Sequence, residues 1–457
     1  MWHSSQIGWI FTRNYNDIKT RSSVAFKVIS APVDALNRIT VSEKLLAKMH
    51  ESLLFSLAAH FEYGVYLIIF LAPFIPTMAC VALVVVTFIS FFINKLMFNK
   101  TDICVDALGM TLIILIALFA FYAVTSLAMM SSIKIWMVYA PFIAFVYLVI
   151  QAITTKKRLI TVGTVFVTSG LFVSMYGIYQ QFFGTNLGHA WLDDEMFTEI
   201  SHRVYSTLGN PNVLGEYLLL AIPIALAMLW AIKKPIGKLY FLGCTGAMTL
   251  CMIFTQSRGC WLGLLVTIAV FIILVDKRYI LLGVIALFFL PFVLPDSIIS
   301  RFTSIGNVSD SSTSYRVYIW LGTINMLKDF GIFGIGLGSD AYNQIYPFYS
   351  YSAIIAPHAH NIYLQLLCET GIAGLITFIT ALILSVKKMY LGVIADRKEL
   401  CGIVSAAVIA GLFGFMLQGA FDYVWYNYRV FLIFWIVIGI GLAARRLAYD
   451  KDSSCNK

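Results

Sequence analysis

Two histidines set two residues apart, His358 and His360 in the run Pro-His-Ala-His-Asn, and a few solitary arginines are the residues here whose types suit chemistry. An imidazole, with an ordinary pKa of about 6.5, can take or give a proton near neutral pH. Arg258 stands in Thr-Gln-Ser-Arg-Gly-Cys-Trp and Arg316 in Ser-Tyr-Arg-Val-Tyr-Ile-Trp. A planar guanidinium offers a fork of N–H donors that matches phosphate oxygens two at a time. Together these groups suit a reaction in which a phosphate is gripped while a proton is removed beside it. Each has a plainer alternative. A lone arginine can contact a lipid headgroup or a loop carboxylate, and a histidine ahead of a helix can serve its N-terminus. A metal held by His358 and His360 would need a third ligand, and none is identifiable from the sequence, so no metal is expected. Asp193, Asp194 and Glu195 form an acidic cluster able to hold a divalent ion, but read more simply as a solvated loop face.

The elements that must position these groups are set by composition. Of 457 residues, 60% are hydrophobic and 12% charged, against roughly 45–50% and about 25% in soluble domains. Such a chain is solvated by lipid, and membrane lipid is an expected partner. The net charge of +9 does not point to nucleic acid, because no recognition motif accompanies it. The eight cysteines are scattered without a CxxC, and so read as small buried hydrophobes. No cleavable leader is expected, since the first long apolar run starts near Leu57.

A spanning helix needs about 20 mostly apolar residues. Twelve runs qualify, at about 57–73, 76–94, 107–130, 132–152, 159–179, 213–232, 239–256, 260–275, 279–294, 361–385, 401–421 and 429–444. The expected fold is therefore all-α, a polytopic bundle of about twelve transmembrane helices. The first two runs, split by Pro73 and Pro76, leave a kinked or re-entrant element open. Residues 1–56 form a cytoplasmic arm, poorly ordered or lying on the surface. Residues 57–444 form the membrane domain and 445–457 a cytoplasmic tail.

Charge tests the alternation. With the N-terminus inside and twelve crossings, 25 of the 32 lysines and arginines fall on the inner side. The other seven are Lys134, Arg203, Arg258, Arg301, Arg316, Lys328 and Arg429. This is a strong positive-inside bias. It puts both termini in the cytoplasm and Arg258, Arg316 and His360 on the outer face.

Two outer segments are long, about 182–212 and 295–360, the second lying between helices 9 and 10. In the second, Ser314 can cap a helix over 315–329, with Val317, Trp320, Leu321, Ile324 and Leu327 on or near one face, as suits a helix lying on the membrane surface. Gly331, Gly334, Gly336 and Gly338 then allow a tight return. Tyr342, Tyr346, Phe348, Tyr349 and Tyr351 can stack on sugar or anchor the loop at the interface. Glu216 and Glu369 fall within apolar helices, where a carboxylate costs roughly 2.5–3.5 kcal/mol at the centre and faces the protein interior.

Several segments together resemble the O-antigen ligase and polysaccharide polymerase superfamily of bacterial membrane glycosyltransferases. They are Arg203–Leu220 with Thr-Leu-Gly-Asn-Pro-Asn-Val-Leu-Gly-Glu-Tyr-Leu, Thr255–Leu264, and Arg316–Gly338 with Arg-x3-Trp and Gly-Ile-Phe-Gly-Ile-Gly-Leu-Gly. Next come His360-Asn361 followed after nine residues by Gly371 and then Gly374-Leu375, and Phe421–Gly441 with its Asp-Tyr. The resemblance covers about 203–441. It implies a C-type membrane glycosyltransferase bundle that takes glycan from an undecaprenyl-diphosphate-linked donor at the outer face of the bacterial cytoplasmic (inner) membrane and gives it to a glycan or lipid acceptor. It implies no cofactor and a metal-independent reaction. The catalytic roles fall on His360, Arg316 and Arg258, and substrate binding on Arg203, Asn361, Trp320 and His358; Arg203 can instead fill one of the two arginine roles. Ligase, polymerase and protein O-oligosaccharyltransferase activities share the donor chemistry and stay open. The alternative from another class is a transporter or flippase of lipid-linked saccharides, which would carry charges at mid-membrane depth on several helices.

Overall fold

The computed structural model describes residues 23–98, 105–184, 203–281, 283, 285, 299 and 311–449. The ninth apolar run from 286, the 300–310 part of the outer loop, the Asp193–Glu195 cluster and both ends of the chain lie outside them. The described residues are helical, with no strand among them. Three short helices, α1 (Val24–Asn37), α2 (Glu43–Glu51) and α3 (Leu53–Ala58), precede the bundle. The described part of the expected arm is thus folded. It is held to the bundle by Lys95 on Asn37 and by His50 on the Met97 carbonyl.

Then come α4 (Phe61–Leu71), α5 (Thr77–Phe98), α6 (Ala107–Val124), α7 (Met129–Ala152), α8 (Lys156–Phe183), α9 (Pro211–Ala231), α10 (Pro235–Phe254) and α11 (Arg258–Val275). The long segment after α11 holds α12 (Ser311–Phe330) and α13 (Ser339–Ile345), and α14 (Ile362–Ala395), α15 (Leu400–Gln418) and α16 (Tyr428–Tyr449) follow. Ten of these, α5 to α11 and α14 to α16, are long and apolar enough to cross a membrane. The expected twelve differ by the undescribed ninth run and by α4, which at 11 residues is only about 16 Å long. Even so, α4 joins both ends of the bundle. Glu62 in its first turn pairs with Arg158 at 3.0 Å, and the Pro73 carbonyl beyond it accepts from Arg429 at 3.2 Å.

Caps explain where several helices begin. Asp106, Thr155 and Asn361 each accept a backbone N–H three residues on, and Asn210 does so just before Pro211. Helices α9, α15 and α16 are the most enclosed, with 83%, 89% and 83% of their apolar windows buried, whereas α5 has 22%. These three are the centre and the others present flanks to lipid. Small residues allow the closest approach: Gly263 of α11 and Gly414 of α15 face each other so tightly that a Cβ on either would strike the other's backbone.

Loop contacts sort into two ends. At one, Arg446 donates to the Ile150 and Ile153 carbonyls, Arg397 to those of Ile273, Leu274 and Val275, and Lys156 pairs with Asp396. At the other, Ser126 and Ser132 bind the Ile335 and Leu337 carbonyls, Asn427 binds that of Leu208, and His360 meets Asp422. This alternation matches the one drawn from charge, and it collects Arg203, Arg258, Arg316 and His360 at one end.

The long segment between α11 and α14 has its own core, built from Ile319, Met326, Ile335, Tyr342, Ile345, Tyr346 and Cys368 among others. Helix α12 turns Ile319, Gly322, Thr323 and Met326 onto this core and leaves Leu321 and Ile324, on the apolar face read from the sequence, exposed. Thr323 bonds the Tyr342 hydroxyl at 2.8 Å and holds the inward face to the following segment. Tyr342 and Tyr346 are stacked and fully buried, so they build the loop, while Phe348 is exposed.

α14 is broken at Gly371, where φ is 59° and ψ −172°, a region only glycine enters readily. The backbone groups freed by the break are taken by the glycine-rich return: the Cys368 and Glu369 carbonyls accept from Ile335 N–H and Gly336 N–H, and Ile372 N–H donates to the Gly331 carbonyl. Gly334, Gly336 and Gly338 all have positive φ there. Gly371→Ala should lower stability by about 1–3 kcal/mol, because its Cβ would meet the Ile332 carbonyl in a disfavoured conformation. The thermal midpoint of detergent-purified protein measures this. Gly243→Ala, which adds a methyl to open space on α10, should leave that midpoint unlowered.

Candidate active site

A cavity of about 360 Å³ opens at the His360 end, and Arg203, Arg258, Arg316, Asn212, Trp320 and Gln418 are among its walls. Three guanidinium groups from separate segments thus share one space. Arg203 comes from the stretch before the Ser206–Leu208 turn, Arg258 opens α11, and Arg316 lies in α12. Arg203 is pinned through Nε to the Thr255 carbonyl at 2.9 Å and through Nη2 to Asn212 Oδ1 at 3.0 Å. Arg316 uses Nη1 on Ser312, on its carbonyl at 3.2 Å and its hydroxyl at 2.6 Å. Its Nε is buried without a hydrogen-bond partner among the described residues.

The histidine lies just behind the Trp320 wall. The Trp320 indole donates to the His360 carbonyl at 3.4 Å, and the Tyr315 ring stands 5.8 Å from the imidazole. His360 Nδ1 is 2.9 Å from Asp422 Oδ1, and the Tyr423 N–H donates to the same oxygen at 2.9 Å. Asp422 Oδ2 accepts from Asn212 Nδ2 at 2.7 Å. Asn212 Oδ1 in turn accepts from Arg203 and, at 2.9 Å, from the Ser257 hydroxyl. One hydrogen-bonded chain therefore runs Arg203–Asn212–Asp422–His360.

Asp422 is buried, which pushes its carboxyl pKa up, but the bond from His360 and the charges of His360, Arg316 and His358 outweigh burial and hold it well below the usual carboxylate range. An ionised carboxylate only accepts, so Nδ1 of a neutral His360 carries the hydrogen and Nε2 keeps a lone pair. That is the tautomer of a general base.

His358 packs its ring 4.2 Å from that of His360 and against Tyr423 and Tyr426. Burial, then the neighbouring His360 and Arg316, push its pKa down to about 3 in spite of Asp422, so it is neutral near pH 7. Asn361 caps α14 with its oxygen and donates to the Ala420 carbonyl with its nitrogen. The structure brings Arg203, Arg258, Arg316 and Trp320 to the cavity wall and His360 behind it; His358 and Asn361 support the histidine turn.

Asp422 is a site residue that the sequence alone does not single out, because it stands in an Asp-Tyr pair 62 residues from His360. It also supplies the third metal ligand that the sequence lacked. His358, His360 and Asp422 bring one ligand atom each within 4.8 Å of one another. Both Asp422 oxygens are already engaged by donors, and Arg316 adds positive charge beside them. A cation would have to displace those bonds, so the donor set fits a hydrogen-bonded pair better than a metal centre.

Ten helices long and apolar enough to cross a membrane, with a cavity of arginines backed by a histidine–carboxylate pair at one end, describe a multi-pass membrane protein. A family model described as O-Antigen ligase matches residues 243–379. The O-antigen ligase superfamily resemblance is thereby supported, and with it a membrane enzyme of the glycan-transferring ligase type. The match contains Arg258, Arg316, Trp320 and His360, while Arg203, Asn212 and Asp422 lie outside it. A search of curated proteins found no match.

The buried neutral His358 makes stability pH-dependent. Its folded pKa lies below its ordinary 6.5, so the unfolded chain binds more protons between 6.5 and about 3, and stability falls as pH drops through that window. Asp422 adds its loss only below its ordinary 3.8. Thermal midpoints of the protein and of His358→Gln, compared between about pH 7 and 4.5, should show a shallower fall for the variant.

Proposed function

We propose that this protein transfers or polymerises glycan from an undecaprenyl-diphosphate-linked donor at the outer face of the bacterial cytoplasmic membrane, by an inverting displacement that needs no metal. The observation that carries the reading is the Asp422-bound His360 set beside three arginines in one cavity. Lysine-rich loops collect at the opposite end of the bundle, which supports placing the cavity outside and both termini in the cytoplasm.

In this scheme the arginines grip the diphosphate. The acceptor hydroxyl oxygen attacks the anomeric carbon, the bond from that carbon to the diphosphate oxygen breaks, and the bonding pair leaves with the lipid diphosphate. Arg258 and Arg316 stabilise the charge growing there. His360 Nε2 takes the hydroxyl proton, and Asp422 stabilises the resulting imidazolium. Acceptor identity separates ligase, polymerase and protein-glycosylating members of the superfamily. The basic groups sit at one end of the bundle, which favours surface chemistry over a flippase pathway with charges at mid-depth.

Purified protein with a lipid-linked glycan and an acceptor tests the reading. His360→Ala should lower kcat by about 100-fold or more while the protein stays folded. Arg316→Lys should remain poor, because an ammonium cannot present the same fork. Wild-type rates from both variants, or transport without transfer in proteoliposomes, would overturn it. EDTA should leave the rate unchanged; a loss restored by magnesium would move the assignment to a metal on the His358–His360–Asp422 group or on the acidic loop.

A further inference from the structure

Nine residues past His360, Glu369 sits fully buried on α14, just before the break at Gly371. Its Oε1 accepts two hydrogen bonds. One comes from Gln365 Nε2 at 2.8 Å and the other from the Tyr423 hydroxyl at 3.3 Å. Each donor leads back to the histidine–carboxylate pair. Gln365 Oε1 accepts from the Ala359 N–H at 2.8 Å, which is the peptide between His358 and His360. Tyr423 follows Asp422 in the chain, and its N–H donates to Asp422 Oδ1 at 2.9 Å. One carboxylate oxygen is therefore the meeting point of two tethers. The first ends on the turn that presents His360, the second on the segment that presents Asp422.

Both tethered segments need outside support. His360 has a φ of 46°, a left-handed conformation that a residue with a side chain keeps only when its surroundings impose it. Tyr423 and Asp422 lie in the irregular link between α15 and α16. The tether itself rests on a rigid base: the Glu369 carbonyl is fixed by Gly336 N–H at 3.1 Å, and the Tyr423 hydroxyl is also 3.2 Å from that of Tyr139 on α7. Two donors converging on one oxygen demand an acceptor at that point. A buried acceptor lost there strands both donors.

We infer that Glu369, acting through Gln365 and Tyr423, is a positioning residue that sets the His360–Asp422 distance for proton transfer. This deepens the reading above and rests on it. Glu369 touches no reacting atom. It aligns the two groups that do, so its removal costs kcat more than donor binding.

The test measures glycan transfer by purified full-length protein carrying Glu369→Ala, Glu369→Gln, Tyr423→Phe and Asp422→Asn, with His360→Ala alongside. Glu369→Ala should lower kcat by about tenfold or more with donor KM within about twofold of wild type. Glu369→Gln, whose amide oxygen still accepts from both donors, should recover most of the loss. Tyr423→Phe cuts one tether without opening a cavity and should lower kcat by about three- to tenfold. Added to Asp422→Asn, it should cost less than about twofold more, because the pair it aligns is already broken. A purely structural role would give additive losses and no rescue by glutamine, and either result overturns the inference. If Glu369→Ala does not fold, Tyr423→Phe and its double variant decide alone, and wild-type kcat in Tyr423→Phe overturns it. Full activity in His360→Ala sinks the transfer scheme itself. An inactive His360→Ala beside unaffected tether variants sinks only the positioning claim.

Discussion

A single buried carboxylate, Asp422, ties the site together. A carboxylate enclosed in protein is costly unless donors surround it. Here His360, Tyr423 and Asn212 supply three hydrogen bonds to its two oxygens, and Arg316 adds charge. Those donors belong to three different parts of the bundle: the entry to α14, the α15–α16 link and the first turn of α9. Ionising Asp422 thus locks three helix ends together. The same bond orients the imidazole, so the stabilising contact and the chemical one are one interaction.

That lock works because irregular backbone is accommodated around it. Unpaired peptide groups are not tolerated against lipid, but they are where protein encloses them. α14 breaks at Gly371, and the Gly331–Gly338 return closes the freed carbonyls. Ser126 and Ser132, near the α6–α7 turn, hold that return by its own carbonyls. The break ends the short first segment of α14 at Thr370, and that segment carries Gln365 and Glu369 on the side facing the histidine turn. The glycine string therefore does more than reverse the chain.

Much of this was legible from sequence. Apolar runs of spanning length and the lysine bias fix alternation, since both follow from the bilayer and not from tertiary detail. Arg258, Arg316 and His360 stood out because a lone charge or imidazole at an outer helix end breaks a local pattern. Asp422 and Asn212 did not. An aspartate in a short loop and an asparagine in Asn-Pro-Asn look like ordinary turn and cap residues, and only the packing of α9 against α15 brings them into hydrogen-bond contact with each other. The inward face of α12 was likewise hidden, because Thr323 is a polar residue whose burial depends on the Tyr342 hydroxyl, 19 positions on. The shortness of α4 was missed because the apolar run drawn from residue 57 passes over His60 and Glu62, where α4 begins.

The three arginines, alike in sequence, are not alike in the cavity. Arg203 spends Nε and Nη2 on Thr255 and Asn212, so it is part of the frame that carries Asp422. Arg316 engages Ser312 through one terminal nitrogen and leaves Nε buried without an acceptor among the described residues. A buried donor with no partner is costly and rarely kept. An anionic oxygen entering the cavity would supply the missing acceptor, and the charge of Arg203 would add to the attraction without its guanidinium moving. On the proposed function, ligand binding and frame stability are divided between two residues of the same type. Exchanging Arg203 for another group should disturb Asp422 and the histidine as well as the ligand, whereas exchanging Arg316 acts first on the ligand.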